Sequence, residues 1–313
     1  MYKGLKKIST VDMTREDWLE HRRKSIGGSD AAAVVGLNRY ASHYSLWADK
    51  RGLLPEKEDS EAMRLGRDLE DYVAKRFTEE TGKRVRRERN IIINPEIPFA
   101  HANVDRLIIG EDAGLECKTT SALNTKRFKG GEYPANYYAQ CVHYMMVTGA
   151  ARWYLAVLVL GVGFYRYCIE RDEAEIEALR LAEGEFWRMV ENNTPPPVDG
   201  STATTEAVSA VLGESKPGET CDLTAVHNDL DLLFVKKDEL KKIKSEVDEI
   251  ENRVKVYMDT AELGETDRFI VVFAEQSRLS FDVNKFAGDH PEMDLSEYYR
   301  IFKYRTFRAK MRK

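Results

Sequence analysis

Two short stretches decide the reading of this chain: Asn103-Val104-Asp105, and Leu115-Glu116-Cys117-Lys118-Thr119, with Glu116 eleven positions after Asp105. Both lie in segments that read as strands, where charge is disfavoured. Strand side chains alternate between faces, so Glu116 and Lys118 point the same way. Asp105 reaches that face if its strand pairs with the next one. Two carboxylates and an ammonium then converge at one point on a sheet.

Phosphodiester hydrolysis uses such a set. Carboxylate oxygens hold a hard Mg²⁺ or Mn²⁺ ion. The ion lowers the pKa of water and neutralises charge on the phosphate. The lysine orients or deprotonates the attacking water and stabilises the developing charge. The backbone carbonyl of Cys117, between the two side chains, is a further oxygen donor. The spacing alone has low specificity, because it arises by chance in a chain with 32% charged residues.

Upstream, Gly66-Arg67-Asp68-Leu69-Glu70 lies on the strongest helix signal, Glu61 to Thr81. Met63, Leu65, Leu69, Tyr72, Val73 and Phe77 form its apolar stripe, and Gly82 ends it. Glu70 falls near the apolar side. A carboxylate there is costly to bury unless paired or bound to metal. Read alone, Glu70 is a rim residue paired with Arg67 or Lys75.

Further out, a helix is expected over Arg15 to Lys24, then the turn Ile26-Gly27-Gly28-Ser29-Asp30. Ser29 or Asp30 would N-cap a short helix from Ala31 to Val35. Another short helix runs about Tyr44 to Arg51. Beyond Gly82 come three strands, Arg89 to Ile93, Ala102 to Ile109 and Gly114 to Lys118. Helix Tyr137 to Thr148, a hairpin of Trp153 to Leu160 with Gly163 to Ile169, and helix Glu173 to Asn192 complete the series. This order predicts an α/β fold with a central mixed β-sheet flanked by helices.

Thr194-Pro195-Pro196-Pro197 breaks the pattern. The expected domains are therefore a core over 1–193, a linker or loosely packed segment over 194–226, and an extension over 227–313. That extension holds a long helix, Asp229 to Leu263, and a strand, Arg268 to Phe273. Along the helix, Leu240, Ile243, Val247, Ile250, Val254 and Tyr257 make a seam for one partner helix within the molecule.

Hydrophobic residues make up 42% of the 313, enough to build a core. A net charge of −5 argues against a passive nucleic-acid coat but leaves room for an enzyme with local positive charge. Such charge sits in His21-Arg22-Arg23-Lys24, in Lys83 to Arg89, and in the tail from Lys303 to Lys313. Cys117, Cys141, Cys168 and Cys221 are too scattered for a zinc site or disulfide framework and read as reduced, mostly buried thiols. No apolar stretch is long enough for a membrane, and no signal-like segment follows the basic start, so a cytoplasmic location is expected.

The order helix Glu70, strand Asp105, strand Glu116-x-Lys118, helix Gln140 resembles the PD-(D/E)XK nuclease superfamily. More narrowly, the chain is similar to the YqaJ viral recombinase family, which includes phage lambda-type alkaline exonucleases. The matching stretches run from Trp18-Leu19-Glu20-His21-Arg22-Arg23 and Ile26-Gly27-Gly28-Ser29-Asp30, through Gly66 to Glu70, Asn103 to Asp105 and Leu115 to Thr119, to Tyr137-Tyr138-Ala139-Gln140 and His143-Tyr144. A looser match covers Phe281-Asp282 and Tyr304-Arg305-Thr306-Phe307-Arg308.

The resemblance implies a restriction-endonuclease-like core and a metal-dependent 5′–3′ exonuclease that digests one strand of linear double-stranded DNA. Asp105, Glu116 and the Cys117 carbonyl would hold metal, with Glu70 on a second ion or its water, so two Mg²⁺ or Mn²⁺ ions per site are expected. Lys118 would be the catalytic lysine and Gln140 the glutamine lying against the site. Arg22 and Ser29 match the pair that grips a terminal 5′-phosphate, with Arg23 able to share the role. An arginine fork with a hydroxyl suits a phosphate on physical grounds. The family further implies a ring-shaped homotrimer, a single-strand annealing protein as partner, homologous recombination as the setting, and a phage or prophage origin in a bacterial host.

Two other readings stay open: a structure- or sequence-specific endonuclease on the same fold, and a non-catalytic DNA-binding protein on a decayed nuclease fold. The four intact polar residues argue against the second. Arg22 with Ser29 argues against the first. His101, ahead of the Asp105 strand, reads either as a neighbour of the metal shell or as a polar loop residue, and Trp47 and Tyr40 as packing for the small N-terminal helices.

Overall fold

In the computed structural model, residues 4–56, 59–300 and 305–310 are described. Part of the basic tail, and Tyr304 of the looser match, lie outside them. The chain divides into two units, Met1–Gly213 and Glu214–Lys313.

The first unit opens with β1 (Lys6–Ser9), α1 (Arg15–Arg23), α2 (Gly28–Val34), α3 (His43–Lys50) and α4 (Glu61–Thr81). Ser60 caps α4 by accepting from the Met63 N–H, and Gly82 ends it at a φ of 70°. These two stops and the apolar stripe explain why the observed bounds match the predicted ones. Then follow β2 (Val85–Arg87), β3 (Asn90–Ile93), β4 (His101–Asn103), β5 (Arg106–Ile108), β6 (Ala113–Thr120), α5 (Ala135–Thr148), β7 (Arg152–Val159), β8 (Gly163–Glu170), α6 (Glu173–Glu191) and α7 (Thr202–Leu212).

The main sheet has five strands in the order β2-β5-β6-β7-β8. Its β6–β7 pair is parallel and its other pairs are antiparallel, so the sheet is mixed. On one face, Val73 and Phe77 of α4 pack on Ile108, Leu115, Tyr154 and Ala156. On the other, α5 lays Cys141, Val142 and Met145 into a core with Trp153, Leu155 and Val157. The sheet is thus covered on both sides, as a strand pair joined in parallel requires.

The expected strand Ala102 to Ile109 is two strands in two sheets. β4 belongs to a small antiparallel sheet, β1-β3-β4, and β5 to the main one. Val104-Asp105 is the link between them. The apolar alternation of Ala102 and Val104 is interrupted by two successive charged residues, Asp105-Arg106, the second of which opens the all-buried β5. The effect of the switch is to lift Asp105 out of a ladder and set it where the sheets meet.

One close approach locks the main sheet. A methyl added at Gly114 would fall inside the Trp153 indole, which is fully buried. Gly114→Ala is therefore expected to lower stability by about 1–3 kcal/mol through overpacking. A urea denaturation midpoint unchanged from the parent protein would contradict this.

The domain limits differ from the expected ones. The 1–193 core continues to Gly213, because α7 docks on α3, with Thr204 Oγ1 donating to Ser42 Oγ at 2.7 Å. Within the expected 194–226 linker or loosely packed segment, Thr202–Leu212 is thus a docked helix. Small residues such as Ala207, which is buried, let α7 sit close, and that kind of packing leaves little hydrophobic signal.

The second unit carries α8 (His227–Met258) and a hairpin of β9 (Leu263–Glu265) with β10 (Ile270–Val272). Here α8 ends at Met258, five residues before Leu263, and is capped by Asp259, whose φ is 51°. Among the described residues of this unit, the seam residues Leu240, Ile243, Val247, Ile250, Val254 and Tyr257 are exposed.

Candidate active site

Lys118 and Glu116 stand on one face of β6, as the period-two argument requires, with Lys118 Nζ 2.6 Å from Glu116 Oε1. Gln140 of α5 donates from Nε2 to the same oxygen at 2.7 Å and to the Tyr144 hydroxyl at 2.7 Å. Glu116 is 3% exposed, and its Oε2 is buried with no hydrogen-bond partner among the described residues. Asp105 Oδ2 accepts from the Cys117 backbone N–H at 2.7 Å, which ties the link between sheets to the middle of β6.

The charges of these side chains act on one another at close range. Burial, and then the negative charges of Glu116 and Glu70, push the Asp105 carboxyl well above its usual range. Burial works against a charged Lys118, but the carboxylates of Glu116 and Asp105 outweigh it and raise the amine. Lys118 also lies over the Tyr137 ring at 5.3 Å. The two neighbouring carboxylates thus favour the charged form of this lysine.

Glu70 is placed differently from either expectation. Its partners are neither Arg67, which pairs with Asp59, nor Lys75, which lies near Glu79. Arg106 and Arg87 hold it instead, Arg87 at 3.4 Å, and both also bind Asp71. Glu70 belongs to α4, which covers the face opposite to Gln140. For this reason the expected closed cluster is not formed: no three His, Cys, Asp or Glu side chains among the described residues are gathered to chelate one ion. Arg106 is only 3% exposed and also donates to the Asp105 carbonyl at 2.7 Å, so it is the hub that keeps Glu70 beside the site. Its position directly after Asp105, a charge inside a strand, was the available signal.

The second cluster lies on the α1–α2 turn. Arg22 Nη2 donates to Ser29 Oγ at 3.0 Å and to Asp30 Oδ1 at 3.1 Å, and the guanidinium stacks on Trp18 at 5.0 Å. It is Arg22, and not Arg23, that meets Ser29. Asp30 does not N-cap α2. The helix starts earlier, at Gly28, and Asp30 accepts from the Gly27 N–H at 3.0 Å. Ile26 pairs with the lead into β4, its N–H on the Phe99 carbonyl at 2.8 Å, and so joins this turn to the strand before Asp105. A cleft of 390 Å³ lined by Trp18, Glu70, Arg87, Asn90 and Asp105 lies beside both clusters.

His101 is not a loop residue. It is 2% exposed on β4 and bonds through Nδ1 to Ser25 Oγ at 2.8 Å. Trp47 is buried as expected, whereas Tyr40 is exposed and stacks under Arg39. Of the four free cysteines, Cys141 is buried but Cys168 and Cys221 are exposed. The basic run from Lys83 is largely neutralised, since Lys83, Arg86 and Arg87 pair with Glu111, Glu88 and Asp71.

Residues 17–151 match the model of the YqaJ-like viral recombinase domain. The chain is also 38% identical over 302 residues to the uncharacterised protein YqaJ of Bacillus subtilis (strain 168), covering 95% of this chain and 93% of that protein. The chain belongs to the YqaJ-like viral recombinase family. Arg22, Ser29, Glu70, Asp105, Glu116, Lys118 and Gln140 all fall within the YqaJ-like match. Among solved structures, the chain is similar to an alkaline exonuclease, LHK-Exo, from Laribacter hongkongensis. The TM-score is 0.49 at 23% identity, over 57% of this chain and 94% of that one. It is also similar to a phage-related exonuclease from Haemophilus somnus 129PT, with a TM-score of 0.39 at 10% identity, over 54% and 96%. No helix among the described residues of this YqaJ-like chain is long and apolar enough to cross a membrane.

Proposed function

We propose that this protein is a metal-dependent 5′–3′ exonuclease that digests one strand of linear duplex DNA from 5′-phosphorylated ends, in recombination with a single-strand annealing partner. The observation that carries the reading is the cluster of half-buried Lys118 with buried Glu116 and Gln140, beside Asp105. Its donor set fits a divalent cation: Glu116 Oε2 is buried without a partner among the described residues, and burial together with the charges of Glu116 and Glu70 disfavours an ionised Asp105 unless a cation is near. Asp105, Glu116 and the Cys117 carbonyl would hold the ion, with Glu70 in reserve on Arg106. When bound, Mg²⁺ or Mn²⁺ supplies a more acidic water and neutralises phosphate charge.

The chain's own groups do the rest. Gln140 holds the Glu116 carboxylate in one orientation. Lys118 presents its ammonium where negative charge grows on the phosphate oxygens. Arg22 and Ser29 grip the terminal phosphate and set which bond reaches Lys118. This end-binding pair favours an exonuclease over an endonuclease on the same fold. Closed circular duplex is expected to survive while linear duplex of the same sequence is degraded, and Arg22→Ala is expected to erase a preference for 5′-phosphoryl over 5′-hydroxyl ends. Nicking of closed circles on a gel would instead favour the endonuclease.

A further inference from the structure

Lys50, on α3, is a charged residue with a side chain only 1% exposed. Its Nζ lies 2.6 Å from Asp30 Oδ2, 2.6 Å from the Arg22 carbonyl and 2.9 Å from the Ser25 carbonyl. All three ammonium hydrogens therefore have acceptors. Asp30, its side chain 8% exposed, bridges inward and outward: Oδ2 takes Lys50 and the Gly27 N–H, and Oδ1 takes Arg22. Arg22 is the outermost of the three, 29% exposed, and reaches Ser29.

A buried carboxylate next to Arg22 is a liability for an anion site. Arg22 and Asp30 alone make a neutral pair, and an incoming phosphate meets the negative charge of Asp30. Lys50, on the far carboxylate oxygen, brings the three residues to a net single positive charge. It also pins the two carbonyls, of Arg22 and Ser25, on the segment that carries the arginine. Burial disfavours a charged Asp30, but the Lys50 and Arg22 cations hold its carboxyl below the usual range, so the charge count is the one that applies at neutral pH.

We propose that Lys50 is a positioning residue that sets the charge of the Arg22–Ser29 site, neutralising Asp30 from within so that Arg22 remains available to a terminal phosphate monoester. This rests on the reading of Arg22 and Ser29 as the end-binding pair. It goes further in assigning the anion selectivity of that pair to a residue that touches no ligand. A residue that served only to fill space would behave differently, because its loss would not be repaired by removing the opposite charge.

The test is binding of two hairpin duplexes of one sequence, one with a 5′-phosphate and one with a 5′-hydroxyl at the single open end. Anisotropy in EDTA gives the ratio of the two dissociation constants. Lys50→Met is expected to cut the preference for the phosphate by about tenfold to a hundredfold, the effect of one unit charge a few ångströms away in a partly shielded site. Asp30→Asn is expected to keep or strengthen it. The Lys50→Met/Asp30→Asn double variant, again with net charge +1, is expected to return close to the parent ratio. If Lys50→Met does not accumulate as folded protein, Asp30→Asn and the double variant decide, since both should retain the preference. A double variant that loses it, or a folded Lys50→Met that keeps it, overturns the role of Lys50 and leaves the phosphate reading standing. A parent protein that binds both duplexes equally overturns the phosphate reading itself, and the role of Lys50 with it.

Discussion

Lys118→Ala is expected to abolish cleavage, with a fall in kcat of about 10²–10³ or more, while the protein stays folded. Lys118 is the cation in hydrogen-bonding contact with Glu116, at 2.6 Å, and a charge preorganised in a buried site is worth far more than one in water. Truncation removes the group that meets developing negative charge. Gln140 still donates to Glu116 Oε1, so the carboxylate keeps its place and the core is not opened. Rate measurements on linear duplex, alongside circular dichroism, check both halves. A folded Lys118→Ala protein with the parent rate would remove the lysine from the chemistry.

The second large effect concerns acid. His101 is 2% exposed, and burial, reinforced by the nearby Lys50 charge, lowers its pKa from 6.5 to about 3. The unfolded chain takes up a proton below pH 6.5 that the folded chain refuses until near pH 3. The stabilisation is therefore fully present above pH 6.5 and drains away as the pH falls through that window. At pH 4.5 the loss is about 3 kcal/mol, two units at 1.36 kcal/mol each. His143 runs the other way. Burial opposes its charge, but the Glu183 carboxylate, 2.7 Å from Nδ1, raises its pKa, so its contribution is present below pH 6.5 and lost as the pH rises. His143 is common to the parent and to His101→Gln, so the difference between their slopes isolates His101. Urea unfolding from pH 7 to 4.5 should show the parent losing stability more steeply than His101→Gln. Parallel slopes would mean that His101 titrates normally in the fold.

How much of this could be read in the sequence depended on the range of the interaction. Helix α4 was legible to the residue because its stripe, its Ser60 cap and its Gly82 stop are all local. Glu116 and Lys118 share a face through a two-residue rule, and Arg22 and Ser29 meet across one turn. What was hidden is long-range. Lys50 and Asp30 are twenty positions apart, and nothing in either stretch announces a buried ion pair. The switch of sheet at Val104-Asp105 is marked locally only by the charged pair Asp105-Arg106, and the pairing partners that separate the two strands lie elsewhere in the chain, so one strand was expected where two exist. Glu70 was expected to join the acidic cluster directly, but its place is decided by Arg106, a competition for one carboxylate that only three dimensions display. The packing of α7 on α3 was masked by small side chains that look like linker.

The most direct measurement is digestion of linear duplex carrying distinct labels at its 5′ and 3′ termini, followed in time with Mg²⁺ and with EDTA. The expected result is prompt release of the 5′ label, late loss of the 3′ label and no reaction under EDTA. Release from the 3′ end first, or undiminished digestion in EDTA, would contradict a cation-assisted site at Asp105, Glu116 and Lys118 that is fed from a 5′-phosphate held by Arg22.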